Sequence, residues 1–301
     1  MWELKICNFE LYFLFYNFML YSFFGWIYES TFVSVKNRTF VNRGFLNGPV
    51  IPIYGAGATI VYMFLAPIQD RAAYVFVGGM LIATALEYIT SYVMEKLFHA
   101  KWWDYSNMKY NIKGRVCLLA SLFWGFLSIL MTDVLQPKMN QLIDKIPRHT
   151  GEILGVFLTL VFLVDFVITV IYTVQWDKKL AEMERICDEL TEYLEGTKLY
   201  ETKEEIKTRF ENFSLVAYAE GLKEHLDEYM RRSDENKEES GKRREEMESR
   251  IQSILKKYRR RAELGSFVEN RFIKAFPTMK LTKNESFLKD IKNLKKHKKG
   301  K

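Results

Sequence analysis

At 301 residues, 49% of them hydrophobic and with a formal net charge of +7, the chain has room for about two domains and is too apolar for a disordered polymer. Its three cysteines, Cys7, Cys117 and Cys187, offer neither a pairing framework nor a metal-ligand spacing, which argues against a disulfide scaffold or a zinc module. Charge divides the sequence unevenly: residues 1–175 hold 13 Lys/Arg and 11 Asp/Glu, and residues 176–301 hold 31 and 26.

That division predicts a transmembrane helical domain at 1–175, a cytoplasmic helical or coiled-coil region at 176–276, and a basic, disordered tail at 277–301. Five apolar segments approach the ~20 helical residues that a bilayer crossing requires. They run over about 9–31, 50–67, 72–96, 115–136 and 152–175. The first has only Lys5 ahead of it, Glu10 interrupts it, and no small-residue cleavage site follows, so it reads as a retained span. The fold class expected is all-α: a five-span bundle with a broken second span, then a helical hairpin or coiled coil.

The break lies in residues 43–57, where two prolines and four glycines enter an apolar segment. Proline removes a backbone donor and biases its predecessor toward extended geometry, and glycine allows close backbone approach. Non-helical backbone at membrane depth survives only where protein or a watery cavity satisfies its polar groups. The second segment has 18 residues, with regular helix expected from near Ile53. Arg43 to Pro49 must therefore complete the crossing in extended form. Gly48, Pro49, Pro52, Tyr54 and Gly55 become wall candidates for a pocket.

Lys36, Arg38 and Arg43 in the first loop, and Lys96, Lys101, Lys109, Lys113 and Arg115 in the third, orient those loops toward the cytoplasm. The N-terminus then faces outward and the C-terminus inward. Trp102, Trp103 and Trp176 fit interfacial anchors. Beyond Gln175, Leu180, Met183, Cys187, Leu190 and Leu194 form a heptad-like seam. A second amphipathic run covers Ile206 to Met230, and a third includes Met247, Ile251, Ile254 and Tyr258. These helices are candidates for homo-oligomer contacts.

An ionisable group at mid-membrane costs about 3 kcal/mol on insertion scales, so each one needs an explanation. The third span carries Gly79, Ala83, Glu87, Ser91 and Glu95 every four residues, a stripe of small and acidic groups on one face. Comparable faces run through Ser22, Gly25 and Glu29, through Ser121, Gly125, Ser128 and Thr132, and through Asp165, Thr169 and Thr173. Glu29, Arg43, Glu95, Asp104 and Arg115 are expected at one cytoplasmic level, together with Tyr105 and Asn111. Two roles are open for them. They form Arg–carboxylate pairs pinning loops to helix ends, or they line a gated polar pocket coupled through Glu87 and Glu95.

No Gly-rich phosphate loop, nucleophile elbow or His-Glu-x-x-His pair is present, so catalysis is disfavoured and no cofactor or metal is expected. Arg43 and Arg115 keep a third possibility open, an intramembrane enzyme acting on lipid-linked phosphates. Nothing in the pattern points to nucleic acid.

The runs Ser22 to Glu29, Arg43 to Gly55 and Ala85 to Tyr88, with Trp103-Asp104-Tyr105, Asn111 and Gly114-Arg115, resemble one bacterial family of multi-pass proteins. These are the ABC-transporter type IV, or CmpB-like, permeases, and the likeness covers about 12–175. Asn270-Arg271-Phe272 followed by Lys274 to Pro277 is similar to the ends of longer members. The resemblance implies a transporter permease subunit in the bilayer, served by a separate ATPase subunit, and it brings no substrate with it. The alternative kept beside it is a membrane-anchored sensory or scaffolding protein acting through its cytoplasmic helices.

Overall fold

In the computed structural model, residues 2–196, 237–263, 267–276, 279–281 and 291 are described. The protein is mostly helical and divides into two compact units. The first comprises Met1–Thr173 and Asn270–Met279, the second Val174–Glu269 and Lys280–Lys301.

The first unit opens with a tight hairpin, Lys5–Ile6 against Phe9–Glu10, whose turn residues Cys7 and Asn8 adopt positive φ of 47° and 68°. It feeds α1 (Leu11–Asn37), which stops where Arg38 turns left-handed at φ 51°. Helix α2 (Pro52–Leu65) begins on proline, as expected where the first-turn N–H has no helical partner to lose. At 1.5 Å per residue its 14 residues span ~21 Å, short of a ~30 Å hydrocarbon core. Helices α3 (Ala72–Phe98), α4 (Leu118–Leu130), α5 (Gln136–Asp144) and α6 (Arg148–Gly196) follow. A π-helical turn, Met131–Leu135, joins α4 to α5, so the helix that carries the fourth apolar segment continues to Asp144. Pro137 supplies the reason: it has no N–H for the carbonyl one turn earlier, and the helix widens just before it. Among the described residues, three helical stretches are long and apolar enough to cross a membrane: Ala72–Phe98, Leu118–Asp144 and the long helix starting at Arg148.

Helix contacts follow the small-residue faces. A Cβ on Gly55 would collide with the Ser22 hydroxyl and the Phe18 carbonyl, so α1 and α2 touch backbone to backbone there. Thr84 donates its hydroxyl to Ser121 at 2.8 Å, and Gly79 sits against Ser128. The main packing sequence is α1 on α2, α2 on α3 and α3 on α4. Tyr21, Val61, Leu65, Val75, Met131 and Met139 form one buried cluster, and Trp2, Tyr12, Tyr16 and Ile143 form another. Beside the first, Gln136 donates to Asn17 at 2.7 Å and accepts from Tyr21 at 3.1 Å, while Asn17 donates to Thr59 at 3.2 Å.

Residues 39–51 are not helical, and their backbone groups find partners one by one. Val41 and Arg43 donate their N–H groups to the hydroxyls of Ser34 and Ser30, at 2.9 and 3.1 Å. The Asn42 side-chain oxygen accepts from Gly44 N–H and from the Trp26 indole, at 3.0 and 2.8 Å. The Asp165 carboxylate accepts from the N–H groups of Asn47 and Gly48, at 3.1 and 2.8 Å, and from the Asn47 amide at 2.9 Å. Ile51 N–H donates to the Ser22 carbonyl at 2.9 Å.

In the second unit, Met183, Cys187, Leu190 and Leu194 of α6 are buried, as are Met247, Ile251, Ile254 and Tyr258 of α7 (Lys237–Glu263). Leu180 of the expected seam is half-buried, and its neighbour Lys179 is fully enclosed, paired with Glu269 at 3.0 Å. Glu189 bridges Lys257 and Arg250, and Arg261 pairs with Glu182, so the two helices run antiparallel. The amphipathic run from Ile206 to Met230 and most of the basic tail lie outside the described residues.

Asp165→Ala should leave two part-buried backbone donors without acceptors. A loss of about 3 kcal/mol is expected, at ~1.5–3 kcal/mol per charge-assisted bond with partial relaxation. Unfolding of the purified chain in graded SDS–detergent mixtures measures it, and an unchanged midpoint would mean that water replaces the carboxylate.

Candidate functional site

Within the first unit lies a cavity of about 400 Å³ bounded by α1, α2, α3, α4, Arg43 and the loop after α3. Small residues create it. Gly57, Ala58 and Ala83 leave room between helices whose larger side chains form the remaining wall, and Gly25 gives its space to the Tyr54 ring.

Glu87 enters from the middle of α3 and is 7% exposed. One carboxylate oxygen accepts from the Tyr105 hydroxyl and the other from the Trp124 indole N–H, both at 3.0 Å. Burial, then the neighbouring Glu87, holds the Tyr105 hydroxyl well above its ordinary pKa, so it remains a protonated donor at neutral pH. Among the described residues no cation pairs with Glu87.

Glu29 ends differently. Its carboxylate accepts from the Tyr54 hydroxyl at 2.7 Å and faces Arg43 Nε at 3.8 Å. The Arg43 guanidinium lies 4.2 Å from the centroid of the Phe276 ring, and its Nη1 is buried without a hydrogen-bond acceptor. The charge of Arg43 is thus shared between a carboxylate and an aromatic face.

The loop after α3 is shaped to deliver Tyr105. Asp104 accepts from the Ser106 N–H at 3.0 Å, and Tyr105 N–H donates to the Gly114 carbonyl at 2.8 Å. Asn111 accepts from Gly114 N–H at 3.0 Å and donates to the Met108 carbonyl at 2.7 Å. Gly114 has φ 69°, and a side chain there would strike Asp104 and Ser106. Arg115 pairs with Glu95 at 2.8 Å and lies 5.1 Å from the Tyr92 ring centroid. Trp103 donates its indole N–H to the Arg115 carbonyl at 3.0 Å and lines the cavity.

Asn270–Met279 closes over the start of the broken segment. Arg271 donates to the carbonyls of Gly44 and Phe45, each at 2.5 Å. Phe272 stacks on Phe45 with ring centroids 5.6 Å apart and planes 10° off parallel, and it meets Trp102 edge-on at 4.8 Å. Burial pushes Arg271 down to about 10, against the pull of Asp165, so it stays a cation at neutral pH.

The model of the family described as Putative ABC-transporter type IV matches residues 16–170. The chain belongs to this family. No curated relative and no solved structure matches it. The matched region contains every residue that lines the cavity, while the type IV model ends well before Arg271, Phe272 and Phe276.

The residues expected to act together therefore separate into groups. Glu29, Arg43, Tyr54, Glu87 and Tyr105 line the cavity. Gly48 and Asp165 hold the broken segment, Pro49 and Pro52 lead into α2, and Gly55 sets the α1–α2 contact. Asp104 and Asn111 shape the loop, and Glu95 with Arg115 forms a separate ion pair outside the lining. Both arginines are engaged by carboxylates, which weakens the idea of a phosphate-binding enzyme site. Trp102 is not an interfacial anchor: it is 2% exposed, enclosed by Phe45, Phe98, Phe272 and Phe276. Sequence reasoning missed Trp124, although it adjoins the Ser121–Gly125–Ser128 face that packs on α3.

Arg271→Ala should raise amide exchange at residues 43–46 and 270–276 by at least about tenfold, given ~1.5–3 kcal/mol for hydrogen bonds from a charged donor. Exchange in the middle of α3 should not change. Hydrogen exchange of the detergent-solubilised protein reads both, and equal rates in variant and wild type would show that Arg271 does not hold this segment.

Proposed function

We propose that the chain is a permease-type subunit that crosses the membrane five times and offers its cavity to a solute on the cytoplasmic side. The family membership and the three apolar helices support a membrane protein related to transport. Two further crossings are assigned to α1, whose 27 residues reach ~40 Å, and to α2 extended by residues 42–51. The basic loops between α1 and α2 and between α3 and α4 support an outward N-terminus. The observation that carries the reading is a cavity that Arg43 of the broken segment borders, with a buried carboxylate that no cation pairs with among the described residues. Interrupted helices beside a buried polar site are how many transporters hold solutes near the bilayer midplane. Energy input would come from a separate ATPase subunit.

A second reading, a membrane-anchored sensor, is favoured by one feature. The chain leaves the first unit at Thr173 and rejoins it at Asn270–Met279, against residues that border the cavity. Occupancy of the cavity would then be felt by the segment that ends the long charged arm.

Cys7 is exposed while Cys117 and Cys187 are buried, so a membrane-impermeant maleimide should label the wild type on intact cells through Cys7. Labelling only after permeabilisation would invert the topology. In a Cys7→Ser background, Ala83→Cys should react with an impermeant thiol reagent in inside-out vesicles and not from the outside.

Deleting the gene should change the cellular content of a small solute, restored by wild type but not by Glu87→Gln at equal membrane abundance. An unchanged solute profile, with the phenotype reproduced by truncation after residue 178, would favour the sensor instead.

A further inference from the structure

Charge accounting inside the cavity points to its occupant. Three side chains that carry a formal charge reach the lining, and two of them already answer each other: Glu29 meets Arg43 and the Tyr54 hydroxyl, and the Arg43 guanidinium also lies over Phe276. Among the described residues Glu87 meets only neutral donors. The Trp124 indole can only donate, so at least one Glu87 oxygen is an acceptor. A carboxylate stabilised by two hydrogen bonds in an apolar setting still leaves its charge without a counter-charge.

The surrounding surface is aromatic. Tyr28, Tyr54, Trp103, Tyr105, Phe123 and Trp124 contribute to it, with the Tyr54 and Trp124 rings set edge to face at 5.9 Å. Aromatic faces attract a weakly hydrated cation, most strongly when it is desolvated. Hard ions are poorly served, because Ca²⁺ and Mg²⁺ take six or more oxygen ligands, and no cluster of three His, Cys, Asp or Glu occurs among the described residues. The deeper end, at Val61, Leu127, Met131 and Leu135, is aliphatic and suits an apolar body. Phe24, Tyr28 and Phe123 also face outward, at 43%, 56% and 50% exposure, where α1 and α4 border the cavity. The volume of about 400 Å³ is of the size that binds small molecules, ~300–1,000 Å³.

We propose that the cavity binds an amphiphilic organic monocation, its ammonium-type head against Glu87 among the aromatic rings and its apolar body toward Met131 and Leu135. This rests on the reading of the cavity as a solute site and assigns the class of solute.

Three probes of one shape and different charge test it: phenyltrimethylammonium, tert-butylbenzene and benzenesulfonate. Each is titrated against the full chain in lipid nanodiscs, with empty nanodiscs as the partition control and tryptophan fluorescence of Trp103 and Trp124 as the readout. Phenyltrimethylammonium should bind at least about tenfold more tightly than tert-butylbenzene, a difference within the reach of desolvated cation–π and carboxylate contacts. Glu87→Gln should erase that difference and leave tert-butylbenzene binding unchanged, which reports an intact cavity in the variant. Preference for benzenesulfonate, or an unaltered cation affinity in a variant that still binds tert-butylbenzene, overturns the cation assignment and leaves the cavity as a solute site. Failure of the wild type to bind any of the three overturns both.

Discussion

A stretch of unpaired backbone between α1 and α2 is the constraint that the first unit is built to meet. Thirteen residues, 39–51, lie outside any helix, and in an apolar setting each unpaired N–H or C=O would cost several kcal/mol. The partners come from four separate places. Ser30 and Ser34 reach over from the last turns of α1, Asn42 folds back on its own segment, Asp165 approaches from the middle of α6, and Arg271 arrives from the C-terminal region. Asp165 is central because it satisfies two consecutive backbone donors and the Asn47 side chain at once. An ionised group in the middle of an apolar helix is costly alone. Here its hydrogen bonds offset that cost and fix where α6 meets the break.

The cavity exists because the break is held open in this way. The segment leaves α1 at Arg38 and enters α2 at Pro52, which sets the height of Tyr54 opposite Glu29 and lets Gly57 and Ala58 face α3. A regular helix through this region would fill the space with its own side chains. The charges expected at one level divide into two ion pairs and one carboxylate held by neutral donors. Glu95 and Arg115 are a pinning pair close to Trp103 and the loop that carries Tyr105. Glu29 and Arg43 are a pair as well, but one that borders the cavity. Glu87 stands apart from both, held by the Tyr105 hydroxyl and the Trp124 indole.

The C-terminal segment backs Arg43, at the edge of the cavity, with a contact that no local pattern announces. Phe272 and Phe276 surround Trp102 edge-on, and Arg43 lies over Phe276. Tryptophan in a loop beside an apolar helix ordinarily marks the membrane interface. Trp102 departs from that rule because residues 170 positions away cover it. The Asn270-Arg271-Phe272 motif was visible as a resemblance to longer proteins of this kind, but its destination was not.

How much was legible divides along a physical line. The sequence alone determined the helical class, the helix starts expected near 53, 72 and 115 and found at Pro52, Ala72 and Leu118, and the small-residue faces, because each depends on residues within one or two turns. Proline and glycine in 43–57 announced a break for the same local reason. It also marked Glu87 as a buried acid, since the spacing of Gly79, Ala83, Glu87 and Ser91 assigns a face whatever lies opposite. Only the tertiary structure decided which charges meet. Glu29 meets Arg43 while Glu87, an identical side chain in the sequence, meets no cation among the described residues. Asp165 became a backbone acceptor rather than a pocket group, and Trp124 became the second donor to Glu87. Such choices depend on distances between elements that are tens to more than a hundred residues apart, and no periodicity in the chain encodes them.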